Sequence, residues 1–246
     1  MNIVLFEGEP RFPRGDARYQ HVKKVLRKGA GDRFRAGIID GPEGEATITA
    51  IDDSGVSFEF RPTGPTRPLY PVHLVVGFPR PIQLKRLLRD VASLGVSSVT
   101  LAGTDLGEKS YRESTLVDRG AAREGLLEGC MQAGGTALPA LKMTDTVDLA
   151  IDGFRSLAHA RIVVLDTDRP DCPLYRSPDL SRTGETSPLV LVVGSERGWT
   201  ARERAVFRDS GCAVCSLGSR ILRTETACTA AIAIALSGAG FMDGDK

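Results

Sequence analysis

Two patterns of apolar and polar positions divide this chain. Up to residue 61 the apolar residues come in short runs: "IVLF" at 3–6, "DRFRAGI" at 32–38, "EATITAI" at 45–51 and "GVSFEFR" at 55–61. Each run is bounded by Gly, Asp or Pro, which predicts short strands. One helix interrupts them at 16–28, with Asp16 as its N-cap. Val22, Val25 and Leu26 share one face there, and Lys23, Lys24, Arg27 and Lys28 take the rest. Residues 61–71, "RPTGPTRPLYP", hold four prolines and one glycine and predict a linker.

Beyond the linker, strand and helix patterns alternate. "VHLVVGF" at 72–78 reads as a strand. Residues 84–95 read as a helix with Leu84, Leu87, Leu88, Val91 and Leu94 on one face and Gly95 at its end. "SSVTLA" at 97–102 is the next strand, followed by a longer helix at 115–132. "RIVVLD" at 161–166 and "LVLVV" at 189–193 are continuous apolar runs, the mark of strands covered on both faces. Thr200 and Glu203 form a capping box that opens a helix, "CAVCSL" at 212–217 is the last strand, and an apolar helix closes the chain. The expectation is an α/β protein with a mostly parallel sheet of about five strands behind a small β-rich domain.

Composition narrows the class. The 246 residues are 41% hydrophobic and 26% charged with a formal net charge of +1, which excludes a purely electrostatic nucleic-acid binder. No run reaches the roughly 18 apolar residues of a membrane span, and the first residues lack the basic-then-apolar pattern of a signal peptide. Five cysteines, an odd number in a long chain, do not form a secreted disulfide framework, so a cytoplasmic setting is expected. Cys212 and Cys215 make a C-x-x-C without a second ligand pair at zinc spacing, and read as small hydrophobes on a strand. No metal is expected.

In open α/β sheets, ligands sit beyond the carboxyl ends of strands. That singles out the loops "LDTDRPD" from Leu165, "GSERGWT" from Gly194 and "LGSRILRTETA" from Leu217. No P-loop or G-x-G-x-x-G fingerprint exists in the chain. Glu196 would repel a phosphate and suits a cationic or hydroxyl-rich ligand, although a plain turn between strand and helix is equally compatible with that loop. The carboxylates Asp166 and Asp168 are weak pointers by themselves. His21, His73 and His159 are dispersed and outside these loops, and no G-x-S-x-G elbow is present, so a hydrolytic triad is unsupported. His73, in an apolar strand, reads as a core histidine. Between Arg11 and Arg35 nine Lys/Arg face two acids, a net of +7 in a nearly neutral chain. Such a cluster suits RNA phosphates, or is simply a solvated helix face.

The segment "LGSRILRTETA" places Arg220, Arg223 and Glu225 at the entrance of the apolar closing helix. With "HVKKVLRKGAGDRF", "LKRLLRDVASLGVSSVTLAGTD", "LLEGCMQAGG" and "LVVGSERGWTARE", it resembles, almost end to end, the bacterial 16S ribosomal RNA uridine-N3 methyltransferase family of the SPOUT superfamily. The resemblance implies a PUA-like RNA-binding β-barrel domain at 1–68 and a SPOUT α/β trefoil-knot domain at 72–246. It implies S-adenosylmethionine as methyl donor, 16S rRNA or the small ribosomal subunit as partner, and a homodimer. Donor binding falls on Leu165, Gly194, Ser195, Glu196, Gly198, Leu217, Gly218, Ile221, Leu222 and Thr224, with Thr224 also capping the closing helix. Catalysis falls on Arg223 and Glu225, and RNA binding on His21, Lys24, Arg27, Lys85 and Arg220.

Five positions depart from the family pattern. Ser195 stands where a proline is expected, and Ser93, before "LGV", where a glutamate is. Arg197 stands where a glycine is expected, in a loop where a Cβ conflicts with positive φ. Gly135 replaces an arginine and Met131 an acidic residue. These departures would also fit a knotted RNA-binding or ribosome-assembly protein without catalysis, or a methyltransferase acting on another nucleotide.

Overall fold

A computed structural model describes residues 2–113, 120–181 and 187–243. The chain forms two compact units, residues 1–68 with 127–138, and residues 69–126 with 139–246. The expected helix at 115–132 begins outside the described residues, and its described part is Ala121–Ala133.

In the first unit, strands β1 (Val4–Phe6), β2 (Arg11–Pro13), β3 (Arg33–Ile38), β4 (Glu43–Ile51) and β5 (Gly55–Gly64) form one sheet in the order β1-β3-β4-β5-β2. Only the β1–β3 pair is parallel. Among the described residues β1 and β2 do not pair, and the sheet curls into a half-barrel, in keeping with the PUA-like β-barrel domain expected. Alternating side chains supply its core: Phe6, Phe12, Phe34 and Phe58 are buried, with Phe58 in edge contact with Phe6 and Phe34. The close β4–β5 approach needs Gly44, where a Cβ would sit 2.2 Å from the Arg61 carbonyl.

The helix of this unit departs from expectation in shape. Asp16 caps it, accepting from the Arg18 N–H at 2.8 Å. Ala17–Gln20 is α-helical, but His21–Val25 is π-helical, and the helix ends at Leu26 rather than at residue 28. The wider turn rotates successive side chains by less than an α-turn does. Val22 therefore stays buried while Val25, expected beside it, is 65% exposed. Arg27 leaves the helix in the left-handed region at φ 52°.

The second unit carries strands β6 (Tyr70–Gly77), β7 (Val96–Ala102), β8 (Ala140–Thr144), β9 (Arg161–Leu165), β10 (Cys172–Pro173), β11 (Leu189–Val193) and β12 (Ala213–Ser216). They make an all-parallel sheet in the order β10-β12-β9-β11-β6-β7-β8. Two strands exceed the expected five. β8 lacks an apolar run because both its faces are largely exposed at the sheet edge, and β10 is too short for any periodicity. The proline-rich linker contracts to 65–69, since β5 runs to Gly64 and β6 starts at Tyr70.

Helices cover both faces of this sheet. Pro81–Ser93 starts three residues earlier than expected, because Pro81 is pre-set for the first helical position, and it ends before Gly95 at φ 75°. Val147–Arg155, which the sequence reading missed, is capped by Thr146. Ala201–Asp209 opens with the expected capping box. Val147, Ile151 and Phe154 pack with Val164, Val190, Val192, Trp199 and Phe207 in one apolar layer. The closing helix, Thr224–Gly238, packs against Pro81–Ser93. Its N-cap is Arg223 and not Thr224, which is already helical, with its side chain turned inward.

β12 lies between β9 and β10, which are joined directly by residues 166–171. That connection crosses over β12, with the Asp166 N–H bonded to the Cys215 carbonyl at 2.9 Å and the Asp171 N–H to the Val214 carbonyl at 2.7 Å.

Candidate active site

Three neighbouring strands, β9, β11 and β12, end side by side, and the segments that leave them enclose a cavity of about 270 Å³. Its walls hold Leu165 from β9, then Gly194, Ser195, Glu196 and Gly198 after β11, and Leu217, Gly218, Ile221, Leu222 and Thr224 after β12. All ten residues expected to bind the donor thus lie around one space. Arg220, expected to meet RNA, lines it too, as does Arg197.

The segment after β11 is held tightly. Gly194 is packed so closely that a Cβ would meet the Trp199 ring at 3.2 Å and Gly198 Cα at 3.3 Å. The Gly198 N–H returns to the Ser195 carbonyl at 2.9 Å, and Gly198 takes the left-handed conformation at φ 70°. Arg197 keeps an ordinary φ, so the conflict expected at that position does not arise: the neighbouring glycine makes the turn. The Arg197 guanidinium pairs with Glu108. The Thr104 hydroxyl donates to Ser195 Oγ at 3.2 Å, and Glu196 Oε1 accepts from the Arg80 N–H at 3.0 Å. Glu196 is therefore engaged at the start of a helix as well as lining the cavity. Beneath the loop, buried Trp199 donates its indole N–H to the Leu165 carbonyl at 3.0 Å.

Glu203, fully buried, accepts from the Asp105 N–H at 2.9 Å and the Thr200 N–H at 2.7 Å. Arg202 grips Asp105 with two bonds of 2.8 and 2.9 Å, which holds that carboxyl below its ordinary range. Asp166, whose side chain is 5% exposed, receives Arg204 Nε at 2.6 Å and Nη2 at 3.2 Å. The same carboxylate accepts the N–H groups of Thr167 at 2.7 Å and Asp168 at 3.1 Å.

The segment after β12 is different. Among the described residues, no hydrogen bond within the protein uses a backbone group of residues 218–222. Gly218 stands at φ 107° with open space where a Cβ would be, and Ile221 is 90% exposed. Leu165, Val193, Leu217, Leu222 and Ala227 give the cavity apolar surface, with unpaired peptide groups at its edge. This donor set fits a planar heterocycle read by backbone groups, joined to a cationic or hydroxyl-bearing chain, and it offers no phosphate cradle.

The other expected residues lie elsewhere. Arg223 and Glu225 flank the lining residue Thr224 at the start of the closing helix without lining the cavity themselves. Glu225 sits in the first turn of that helix. Lys85 is on the Pro81–Ser93 helix, 3.9 Å from Glu124. His21, Lys24 and Arg27 belong to the first unit; burial lowers the His21 pKa, and its Nε2 is buried without a hydrogen-bond partner. Met131 and Gly135 also belong to the first unit, so those two departures leave the cavity untouched. Sequence reasoning missed Asp166, Thr167, Trp199 and Arg204 as lining residues. Asp166 was visible in a loop already singled out, but nothing in the sequence showed that Arg204 would pair with it.

The comparisons with known proteins agree with this geometry. The model of the RNA methyltransferase domain matches residues 65–236, and that of the RNA methyltransferase PUA domain matches residues 15–61. A ribosomal RNA small subunit methyltransferase E of Treponema pallidum is 40% identical over 251 residues, covering 97% of this chain and 92% of that protein. A ribosomal RNA small subunit methyltransferase E 1 of Borreliella burgdorferi is 26% identical over 240 residues, covering 96% and 98%. Among solved structures, a putative methyltransferase of Legionella pneumophila in complex with S-adenosylmethionine superposes with a TM-score of 0.79 at 22% identity, over 97% of this chain and 98% of that one. A PUA domain followed by a parallel α/β domain with a strand-end cavity of this kind is an RNA methyltransferase. The chain belongs to the ribosomal RNA small subunit methyltransferase E family.

Proposed function

We propose that the protein transfers a methyl group from S-adenosylmethionine to N3 of a uridine in 16S rRNA. The observation that carries this reading is the convergence of Leu165, the 194–198 loop and the 217–224 segment on one apolar cavity edged by unpaired backbone groups. The related enzymes named above are small-subunit rRNA methyltransferases, and the Legionella protein was solved with this donor.

S-adenosylmethionine supplies an electrophilic methyl group on a cationic sulfur. Leu165, Leu217 and Leu222 would hold its adenine, with the peptide groups of residues 218–222 reading the ring edge. Glu196 places a carboxylate beside the cavity, which suits a sulfonium, while Asp166 is already paired with Arg204. Uracil N3 carries its proton at neutral pH, so the proton must leave as the new N–CH3 bond forms. Glu225 is the proposed acceptor and Arg223 the proposed stabiliser of negative charge on the uracil carbonyl oxygens. The base must also be unpaired to expose this edge. His21, Lys24, Arg27 and Lys85 would hold RNA phosphates, with Arg220 at the cavity. A homodimer, a cytoplasmic location and trefoil threading of β12 past the 166–171 connection belong to the same proposal. No described helix is long and apolar enough to cross a membrane.

The test begins with titration calorimetry of S-adenosylmethionine and S-adenosylhomocysteine, where micromolar binding is expected. It continues with methylation of unmodified small subunits and primer extension, since an N3-methyl group blocks base pairing and stops reverse transcription. Binding without a stop at any uridine would direct the search to another nucleotide. Absence of binding to either ligand would remove the enzymatic mechanism proposed.

A further inference from the structure

Cys172 and Cys215 are register partners on the adjacent parallel strands β10 and β12, and their Sγ atoms are 3.7 Å apart. Cys130, Cys212 and Cys228 are buried, with no sulfur neighbour among the described residues. Cys215 is buried as well, but Cys172 is only partly covered, on a two-residue strand at the sheet edge. The pair thus combines one thiol that a small oxidant can reach with one held beside it and shielded. Neighbouring parallel strands hold their Cα atoms about 4.8 Å apart, inside the range a disulfide spans. Short edge strands give way more readily than central ones.

The position couples this pair to the cavity. The connection 166–171, with the lining residues Asp166 and Thr167, runs directly into Cys172. Cys215 is followed, after Ser216, by Leu217 and Gly218 on the opposite wall. Leu165, another lining residue, is the register partner of Cys215 on its other side.

We propose that Cys172 and Cys215 are a modification site at which a hydroperoxide forms a reversible disulfide, and that this bond draws two walls of the cavity together. In the first step the Cys172 thiolate attacks the peroxide: an S–O bond forms, the O–O bond breaks, and hydroxide leaves. Sulfur is oxidised by two electrons to the sulfenic acid as the peroxide is reduced. Cys215 then attacks that sulfur, the S–S bond forms, and the sulfenic oxygen departs as water with the Cys215 proton. Burial pushes the Cys215 thiol up to about 12, so the partly covered Cys172 and not Cys215 meets the peroxide first, and the 3.7 Å approach of the two sulfurs compensates for the slow second step. A dithiol reductant reverses the bond. The effect on the cavity rests on the donor reading above; the disulfide itself does not.

The test treats the full chain with hydrogen peroxide under native conditions, blocks free thiols, and reads intact mass, disulfide-linked peptides and donor affinity by calorimetry. The expected result is a loss of about 2 Da from a 172–215 bridge, reversed by dithiothreitol. Donor affinity should fall severalfold on oxidation, and Cys172→Ser should abolish both responses. Oxidation of Cys172 to the sulfinic acid without a bridge, or no reaction at all, overturns the site. A bridge that leaves donor affinity unchanged overturns the coupling. If the reduced protein binds no donor, the enzymatic reading fails, while the mass and peptide readouts still decide the disulfide.

Discussion

The loop after β11 and the segment after β12 wall the same cavity, yet they use their backbone and side-chain polar groups in opposite ways. Residues 194–199 are fixed by the Gly198–Ser195 turn, the Glu196 carboxylate on Arg80, the Thr104 hydroxyl on Ser195 and the Trp199 indole on Leu165. Residues 218–222 make no backbone hydrogen bond within the protein among those described. Polar groups are tolerated without protein partners where water or a ligand can serve them. One wall is therefore built by the fold, and the other is left for what enters.

The comparison breaks most visibly at its rigid side. Trp199 is buried, meets Phe207 edge-on with ring centroids 4.8 Å apart, and supports Gly194 from below. Trp199→Ala should destabilise the second unit by about 3–5 kcal/mol, the cost of an emptied aromatic site. The chain has a single tryptophan, so the urea transition must be followed by circular dichroism rather than by indole fluorescence. A change below 1 kcal/mol would mean that the loop is not anchored through this ring.

Arg204→Ala is the next largest. It leaves the nearly buried Asp166 carboxylate without its guanidinium, and the loop N–H groups of Thr167 and Asp168 compensate only in part. A loss of about 2 kcal/mol is expected, below the ~3–5 of a fully buried pair because the Arg204 side chain is 29% exposed. The loss is read from the same urea transition. Donor binding should weaken alongside it, since Asp166 forms part of the wall.

The wall without backbone hydrogen bonds calls for a different readout. Hydrogen exchange should be fast at residues 218–222 in the free protein and slow markedly on adding S-adenosylmethionine, while the Gly198 amide, bonded to the Ser195 carbonyl, stays protected throughout. Gly218→Ala should leave stability nearly unchanged and weaken donor binding about tenfold, roughly 1.4 kcal/mol, because φ 107° is closed to a side chain although space is open. If Gly218→Ala instead lowered the unfolding transition as Trp199→Ala does, the segment would be a structural element and not a ligand-completed one.

The sequence shows these two walls unequally. Continuous apolar runs revealed β9 and β11, and the capping box at Thr200 revealed the helix that Glu203 anchors, because each is a local pattern. The cavity-lining segment after β12 was legible because "LGSRILRTETA" is specific. β8 and β10 left no periodic trace, and the insertion of β12 between β9 and β10 is a non-local choice that no local pattern encodes. The π-turn at His21–Val25 likewise placed Val25 on solvent against the helical period. Asp166 and Arg204 are 38 positions apart and meet only through the fold.

Arg197 is where a local rule and the structure disagree most instructively, and it carries the smallest expected effect. Reading the loop against its family suggests that replacing a glycine by arginine strains the backbone beside the donor. In the structure Gly198 takes the left-handed conformation, and Arg197 sends its side chain, 64% exposed, to Glu108. An exposed pair of this kind contributes at most about 1 kcal/mol. Restoring the family residue by Arg197→Gly should therefore shift the unfolding transition by less than that and leave donor affinity within about twofold. Were Arg197→Gly to tighten donor binding tenfold, the arginine would be obstructing the cavity, and the rigid wall would be a compromise rather than a finished surface. An affinity that stays level means that the family pattern at this position describes one way of making the turn, and that Gly198 alone is enough to make it.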